Sequence, residues 1–261
     1  MLAKKSLGQN FLKSESALRE IITAGQITPD DFVLEIGPGQ GALTEKILEA
    51  GATVLAVEKD HALLPILKEK FANYIQSGKL QIIEEDILEF KIDVLPEKYK
   101  LIANIPYYIT GAIIRNFLET NRQPETMVLL VQKEVAERIV ARDGKESILS
   151  IAVKAYCEPK FIKTVLAGSF VPAPKVDSAI ILFENISKKN FEENNLDEKK
   201  FFEIMKAGFS HKRKILRKNL QDVASKYERD INAIFIKTGV DPKARPEDLK
   251  LKDWFEILKM F

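Results

Sequence analysis

Phe32-Val33-Leu34-Glu35-Ile36-Gly37-Pro38-Gly39-Gln40-Gly41-Ala42-Leu43-Thr44-Glu45-Lys46-Ile47-Leu48 is the stretch whose reading decides the fold. Its first five residues form an apolar run suited to a buried strand, and from Ala42 onward the apolar residues recur at helical spacing. Strand, glycine loop and helix in that order make a nucleotide-binding unit, because glycines let the backbone approach a ligand and a new helix offers unpaired N–H groups. The spacing is G-x-G-x-G, with neither the further step of a dinucleotide loop nor the Lys of a triphosphate loop. Both of those ligands are therefore disfavoured. The next apolar run, Val54-Leu55-Ala56-Val57, ends at Glu58, about 20 residues after the first glycine, where a carboxylate accepts from ribose hydroxyls.

Two further strand ends extend the site. Leu80-Gln81-Ile82-Ile83 leads to Glu84-Glu85-Asp86, and Asp86 can accept from an adenine amine or serve as an ordinary turn or helix-cap aspartate. Leu101-Ile102-Ala103 leads to Asn104-Ile105-Pro106-Tyr107. Here the Asn104 side-chain oxygen and the Ile105 carbonyl, held rigid by Pro106, can accept both hydrogens of an exocyclic amine, while the Tyr107 ring offers a stacking face. Alternatively, the four residues are a tight turn with a half-buried tyrosine. Open α/β sheets bind ligands at the carboxyl ends of their strands. A ligand with ribose and adenine but no required phosphate, beside an amine-accepting group, points to S-adenosylmethionine and N-methylation.

Further motifs carry a resemblance. Lys5-Ser6-Leu7-Gly8-Gln9-Asn10-Phe11-Leu12, the loop from Glu35 to Gly41, Asn104 to Tyr107, Gln132-Lys133-Glu134-Val135-Ala136-Glu137-Arg138 and the run Phe170 to Ala179 occur in order, followed by Arg245-Pro246-Glu247-Asp248-Leu249. Together they resemble the ribosomal RNA adenine dimethyltransferases, in particular their small-subunit group. The resemblance implies a seven-stranded Rossmann-like methyltransferase fold with a small carboxyl-terminal helical domain. It implies cofactor contacts from Gln9, Asn10 and Leu12, beside Gly37, Gly39, Gly41, Glu58, Asp86 and Asn104. It puts Phe170 near the face of the base opposite Tyr107. The implied reaction dimethylates the N6 amines of two adjacent adenosines in a 3′-terminal hairpin loop of small-subunit ribosomal RNA, within an immature small subunit late in assembly.

Alternating strand and helix signals from residue 31 to about 141 imply a doubly wound, mostly parallel sheet. Lys160 to Val165 and Val176 to Leu182 have no long helix between them and read as an antiparallel pair at the sheet edge. After Phe183 the chain turns polar and then shows only helical periodicity, which places a domain boundary at 185/186. The expected division is a cofactor-binding domain over 1–185 and an RNA-binding helical domain over 186–261. The core of the latter is expected from Phe201, Phe202, Met205, Phe209, Ile234, Leu251, Trp254, Phe255 and Leu258.

Composition sets outer limits. The chain has 261 residues, 46% hydrophobic and 30% charged, a single Cys157 and no metal-cluster spacing, so neither an internal disulfide nor a metal site is expected. No run approaches a membrane span, and the amino end lacks a signal core. A cytoplasmic monomer is expected. The net charge of +2 hides an asymmetry: from Ile186 to Phe261 there are 18 Lys/Arg against 13 Asp/Glu, a net of +5, and no acid lies between Ile204 and Gln221. Lys212, Arg213, Lys214, Arg217 and Lys218 fall in that gap. If this run is helical, Arg213/Arg217 and Lys214/Lys218 repel at i,i+4 spacing, and a phosphate backbone would relieve them. The alternative is a solvated helix face with Ile215, Leu216 and Leu220 turned inward. Lys4, Lys5 and Lys13 are further candidates for RNA contact. His61 and His211 lie in no motif and are expected at the surface.

Two other functions fit parts of the sequence. One is a large-subunit adenine methyltransferase conferring antibiotic resistance, and the other an assembly factor acting mainly by binding immature subunits. The intact glycine loop, Asn104 and Tyr107 argue that chemistry is retained.

Overall fold

The computed structural model describes residue 4, residues 8–211 and residues 213–261. Lys5, Ser6 and Leu7 of the amino-terminal motif, and Lys212 of the basic run, lie outside the described residues. The chain divides into two compact units, one running up to Ala136 and resuming over Glu158–Ile186, the other formed by Glu137–Cys157 and Ser187–Phe261.

The first unit is built on strands β2 (Phe32–Ile36), β3 (Thr53–Glu58), β4 (Leu80–Glu84), β5 (Lys100–Asn104), β6 (Thr126–Gln132), β7 (Glu158–Val165) and β9 (Ser178–Glu184). They form a seven-stranded sheet in the order β4-β3-β2-β5-β6-β9-β7. The strands from β4 through β6 pair in parallel, while β9 runs antiparallel to both β6 and β7. Their near-continuous apolar runs are what a parallel sheet needs, since helices cover both its faces. The remaining short strands, β1 (Phe11–Leu12) and β8 (Phe170–Val171), pair with each other.

Helices α2 (Ala42–Glu49), α3 (Leu64–Lys70), α4 (Ala72–Gln76) and α5 (Thr110–Glu119) lie in crossovers between parallel strands, while α1 (Glu15–Ala24) precedes β2 and α6 (Lys133–Val140) follows β6 and spans the division at 136/137. Ser14 caps α1 by accepting from the Ala17 N–H, and Ala17, Leu18 and Ile21 turn its apolar stripe onto the sheet face formed by Val33, Val54 and Ile102. α2 begins at Gly41, whose φ of 77° is left-handed. A Cβ on Gly41 would stand 2.4 Å from the Phe71 ring. Gly41 thus lets α2 pack closely against Phe71 and does not line the ligand cleft described below, which corrects its expected cofactor contact.

The second unit contains α7 (Ile148–Lys154), α8 (Lys189–Glu193), α9 (Glu198–Gly208), α10 (Leu216–Asn219), α11 (Gln221–Lys226), α12 (Ile231–Thr238) and α13 (Leu251–Lys259). Phe201, Met205, Phe209, Ile234, Trp254, Phe255 and Leu258 are buried as expected, while Phe202 and Leu251 are half-buried. Rings of Phe191, Phe201 and Phe255 meet at 5.4–5.9 Å, and Phe209 stacks on Trp254 at 5.3 Å.

The unit boundary differs from the expected single cut at 185/186, because Glu137–Cys157 belongs with the carboxyl-terminal helices. Buried Glu146 explains this. Its carboxylate accepts from Lys154 at 2.9 Å and from Lys250 at 3.3 Å, its N–H donates to the Glu247 carbonyl, and Lys145 pairs with the Glu247 carboxylate at 2.7 Å. Lys250 and Glu247 lie about a hundred residues from Glu146 and Lys145 in sequence, so local patterning does not reveal these contacts. Glu247 belongs to the Arg245 to Leu249 motif, which thereby has a structural use.

Gly208 ends α9 against the Trp254 ring, where an added Cβ would lie 2.4 Å from a ring carbon and 2.9 Å from Leu216. Alanine gains about 1 kcal/mol of helix propensity, but forcing a methyl against a buried indole costs about 1–3 kcal/mol. Gly208→Ala is expected to lower stability by ~1–2 kcal/mol net, checked by urea midpoints.

Candidate active site

The register of the parallel strands lines up the site. Ile36 is level with Val57 on one side and Ala103 on the other, so one residue further Gly37, Glu58 and Asn104 stand level at the carboxyl edge. Asp86 lies two residues beyond the end of β4. Along the order β4-β3-β2-β5 the groups therefore run Asp86, Glu58, Gly37, Asn104, at steps of about 4.8 Å. They line one cleft together with Gln9, Asn10, Gly39 and Tyr107. The enclosed part of this cleft measures about 130 Å³.

Glu58 holds the glycine loop as well as facing the cleft. Its carboxylate accepts from the Gly39 N–H at 3.1 Å and the Asp60 N–H at 2.7 Å. Burial raises its pKa, and these backbone bonds oppose the rise. Spare lone pairs remain for hydroxyl donors. Gly37, with φ of 65°, has no atom within 4 Å of where its Cβ would be, so the loop keeps open space beside the cleft. A Cβ on Gly39 would stand 3.0 Å from the Phe11 ring.

Asp86 takes the turn role expected of it and also pairs with a lysine. One oxygen accepts from the Leu88 N–H in a turn at 3.0 Å, and the other from the Lys59 ammonium at 2.5 Å. The Lys59 ammonium holds its pKa below the ordinary aspartate value. Asp60 anchors the amino-terminal segment, accepting from Lys4 Nζ at 2.6 Å and Gln9 Nε2 at 2.7 Å. Burial alone would raise its pKa, but these donors outweigh burial and lower it. The Gln9 Oε1 accepts from the Lys4 N–H, so Gln9 spends both ends of its amide fastening the segment across the cleft.

Asn104 donates from Nδ2 to the Asn10 carbonyl at 3.1 Å. That bond fixes the amide, leaving the Oδ1 lone pairs for an incoming donor. Tyr107 starts a short turn, Tyr107–Ile109, and its hydroxyl bonds Ser178 Oγ on β9 at 2.7 Å. The ring is thereby pinned at the cleft wall; burial raises the pKa of its hydroxyl.

Other expected site residues lie elsewhere. Leu12 is buried and lines a smaller cavity adjoining the cleft. Phe170 is 2% exposed, packed in the core and level with Leu12 in the β1/β8 ladder. It is therefore not presented as a face in this cleft, a correction caused by pairing between segments distant in sequence. The basic run is not one helix: α10 covers only Leu216–Asn219, so Arg213 and Lys214 sit in the preceding turn and the i,i+4 repulsion argument does not hold. Arg213, Lys214 and Lys218 are exposed, whereas Arg217 is half-buried and donates to Asn232. Leu216 and Leu220 are turned inward. Lys4 is engaged by Asp60, Lys13 donates to Gln40, and His61 and His211 are exposed.

Sequence reasoning missed Glu35, Lys59 and Tyr108. Lys59 follows Glu58 directly, and Tyr108, 65% exposed on the cleft wall, follows Tyr107. Adjacency to a motif was the available signal. Among the described residues no helix is long and apolar enough to cross a membrane.

A family model described as "Ribosomal RNA adenine dimethylase" matches residues 1–261. Proteins named ribosomal RNA small subunit methyltransferase A are similar: one from Dehalococcoides mccartyi is 39% identical, with 98% of this chain and 87% of the relative covered. Another, from Clostridium botulinum, is 37% identical over 97% of this chain and 92% of the relative. Among solved structures, a dimethyladenosine transferase from Plasmodium falciparum superposes with a TM-score of 0.81 at 26% identity, covering 95% of this chain and 96% of the other. The 23S rRNA methyltransferase ErmE gives a TM-score of 0.77 at 25% identity, covering 96% and 99%.

Glu35 has the most perturbed carboxyl at the site. It is 1% exposed and neither oxygen has a hydrogen-bond partner. Burial pushes its pKa up to about 8 from an ordinary 4.5; Glu58 adds to the rise, and the nearby Thr44 and Lys70 oppose it. The folded form keeps this proton while the unfolded chain loses it near 4.5. The group's contribution is thus whole below about pH 4.5 and is lost as pH rises to about 8. Relative to Glu35→Gln, wild type should lose on the order of a few kcal/mol between pH 5 and 8. Urea midpoints of both proteins across that range check it.

Proposed function

The chain belongs to the ribosomal RNA adenine dimethylase family and methylates ribosomal RNA adenines from S-adenosylmethionine, and we propose that Asn104 orients the target amine while Asp86, Glu58 and the glycine loop hold the cofactor. The observation that carries this reading is the row Asp86, Glu58, Gly37, Asn104 across four adjacent strand ends. It matches a ligand laid with adenine at β4, ribose at β3 and its sulfonium end towards β2 and β5. The residues suit that cofactor: carboxylates stand where amine and hydroxyl donors would lie, and Gly37 leaves space that a Cβ would enter. When bound, S-adenosylmethionine supplies an electrophilic methyl group.

The residues of the chain act on the other reactant. Adenine N6 is a poor nucleophile because its lone pair is delocalised into the ring. Acceptance of its two hydrogens by Asn104 Oδ1 and the Ile105 carbonyl draws the nitrogen towards tetrahedral geometry, and the same dipoles stabilise the positive charge that develops. The bond from Asn104 to the Asn10 carbonyl supports this role, because it holds the amide oxygen in one direction. Tyr107, anchored through Ser178, offers a stacking face to an unstacked base.

The names of the curated relatives support a small-subunit target. We take that target to be two adjacent adenosines in a 3′-terminal hairpin loop, modified in the cytoplasm on an immature small subunit by a monomer. Exposed Arg213, Lys214 and Lys218 serve RNA backbone contact in this reading, together with Lys212, and Arg217 supports their turn through Asn232.

Asn104→Ala is expected to reduce methyl transfer by more than a hundredfold in single-turnover assays while preserving the fold and most RNA affinity; activity within tenfold of wild type would assign the amine to another group. Replacing Arg213, Lys214 and Lys218 with Gln should weaken RNA binding and flatten the slope of log affinity against log salt by about 2–3, since fewer counterions are released. Cofactor affinity should not change. An unaltered salt slope would return the basic stretch to a solvated surface.

A further inference from the structure

Gln132 closes β6, and the register of its neighbours places it on the face that carries Asn104. Asn104 is level with Leu130 across the β5/β6 ladder, and Gln132 lies two residues further along β6. Register partners face the same way, and side chains two apart on a strand share a face. Gln132 therefore stands on the same face as Asn104, one strand over and one pleat nearer the open edge. On its other side it is level with Ser178 of β9, whose hydroxyl bonds Tyr107 at 2.7 Å. Because β6 lies between β5 and β9, Tyr107 reaches from the end of β5 across the end of β6 to make that bond. Asn104, Gln132 and the Tyr107 ring thus surround one spot.

That spot lies beyond the cofactor. With adenine at Asp86, ribose at Glu58 and the sulfonium end towards β2 and β5, the next strand end along the row is that of β6. The amine of the target base is assigned to Asn104 and Ile105, and the face of its ring to Tyr107. The ring edge is still without a partner. Beside the amine that edge carries ring nitrogens with lone pairs, which accept and cannot donate. A donor is needed, and the Gln132 Nε2 supplies two N–H groups. Ser178 spends its hydroxyl on Tyr107, whereas the half-buried Gln132 amide has no hydrogen-bond partner among the described residues.

We propose that Gln132 contacts the target adenine, donating from Nε2 to a ring nitrogen beside the amine and so positioning the ring for methyl transfer. This rests on the placement of the target amine at Asn104. The backbone under Gln132 is firmly held. The Lys133 N–H donates to the Asp177 carbonyl at 3.0 Å, and Asp177 Oδ1 accepts from the Ala167 N–H at 2.9 Å. A neutral amide suits the role, because an ammonium at the same nitrogen would draw electron density out of the ring and away from N6. The motif that opens with Gln132 thereby gains a use in the reaction.

The test is single-turnover methyl transfer by the full chain to small subunits reassembled with 1-deazaadenosine or 7-deazaadenosine at the target positions. Each analogue keeps the amine and loses one ring nitrogen. Wild type should slow about tenfold or more on one analogue and little on the other, which identifies the nitrogen. Gln132→Leu, similar in volume, should slow about tenfold or more on unmodified adenosine and lose nothing further on that analogue, since both changes remove one contact. Its affinity for S-adenosylmethionine should stay within twofold of wild type. Gln132→Glu, whose carboxylate only accepts, should be slower than Gln132→Leu. Gln132 joins the sheet through its backbone, so both variants should keep the wild-type urea midpoint; were Gln132→Leu to unfold, Gln132→Glu with the analogues gives the same comparison. A wild-type rate in Gln132→Leu, equal wild-type rates on adenosine and both analogues, or losses that multiply when combined would overturn the proposal. Asn104→Ala within tenfold of wild type would instead overturn the amine placement, and the proposal with it.

Discussion

The parallel register of β2 against β3 and β5 is the constraint on which the site depends. Backbone hydrogen bonds fix that register, and a slip by one residue would turn every side chain to the other face. With Ile36 level with both Val57 and Ala103, the next residue on each strand reaches the same edge. A glycine, a carboxylate and a carboxamide thereby meet without any of them contributing to the choice of register. The apolar residues beneath them make that choice, through Val33, Val54, Ala56 and Ile102 in one buried layer. Stability and function are separated along each strand, with core below and polar groups at the tip.

Buried charge is handled in two ways. Asp60 and Glu146 are almost fully buried and are each compensated by lysine, Lys4 for Asp60 and Lys154 with Lys250 for Glu146. Such pairs fasten segments that are distant in sequence: the amino-terminal strap in the first unit, and the 137–157 segment in the second. Breaking one partner of a buried pair costs more than the pair contributes, because a bare charge remains. Glu35 is uncompensated and stays protonated near neutral pH.

Positioning also explains why the strand end proposed to act on the amine needs so few residues. Asn104 is held by Asn10 from the amino-terminal segment, and Tyr107 by Ser178 from β9. Each of these two groups is fixed by a hydrogen bond to an element remote in the chain. A turn that would be soft in isolation becomes a rigid acceptor, and rigid acceptors stabilise developing charge without reorganising at the moment of reaction.

The sequence by itself determined the sheet, its strand ends and the row of groups along them. Those features are local: apolar runs, glycine spacing and the residue after each strand, as with Glu58 after Val57 or Asn104 after Ala103. Tertiary structure decided the rest. Phe170 enters the core because β8 pairs with β1, Gly41 packs on Phe71 instead of lining the cleft, and the basic run breaks before α10. Glu35 reads in sequence as one more strand residue, and only the buried sheet face around it makes its carboxyl unpaired. In each case the outcome depends on contacts between segments far apart in the chain, and helix or strand periodicity carries no information about which distant segment will arrive.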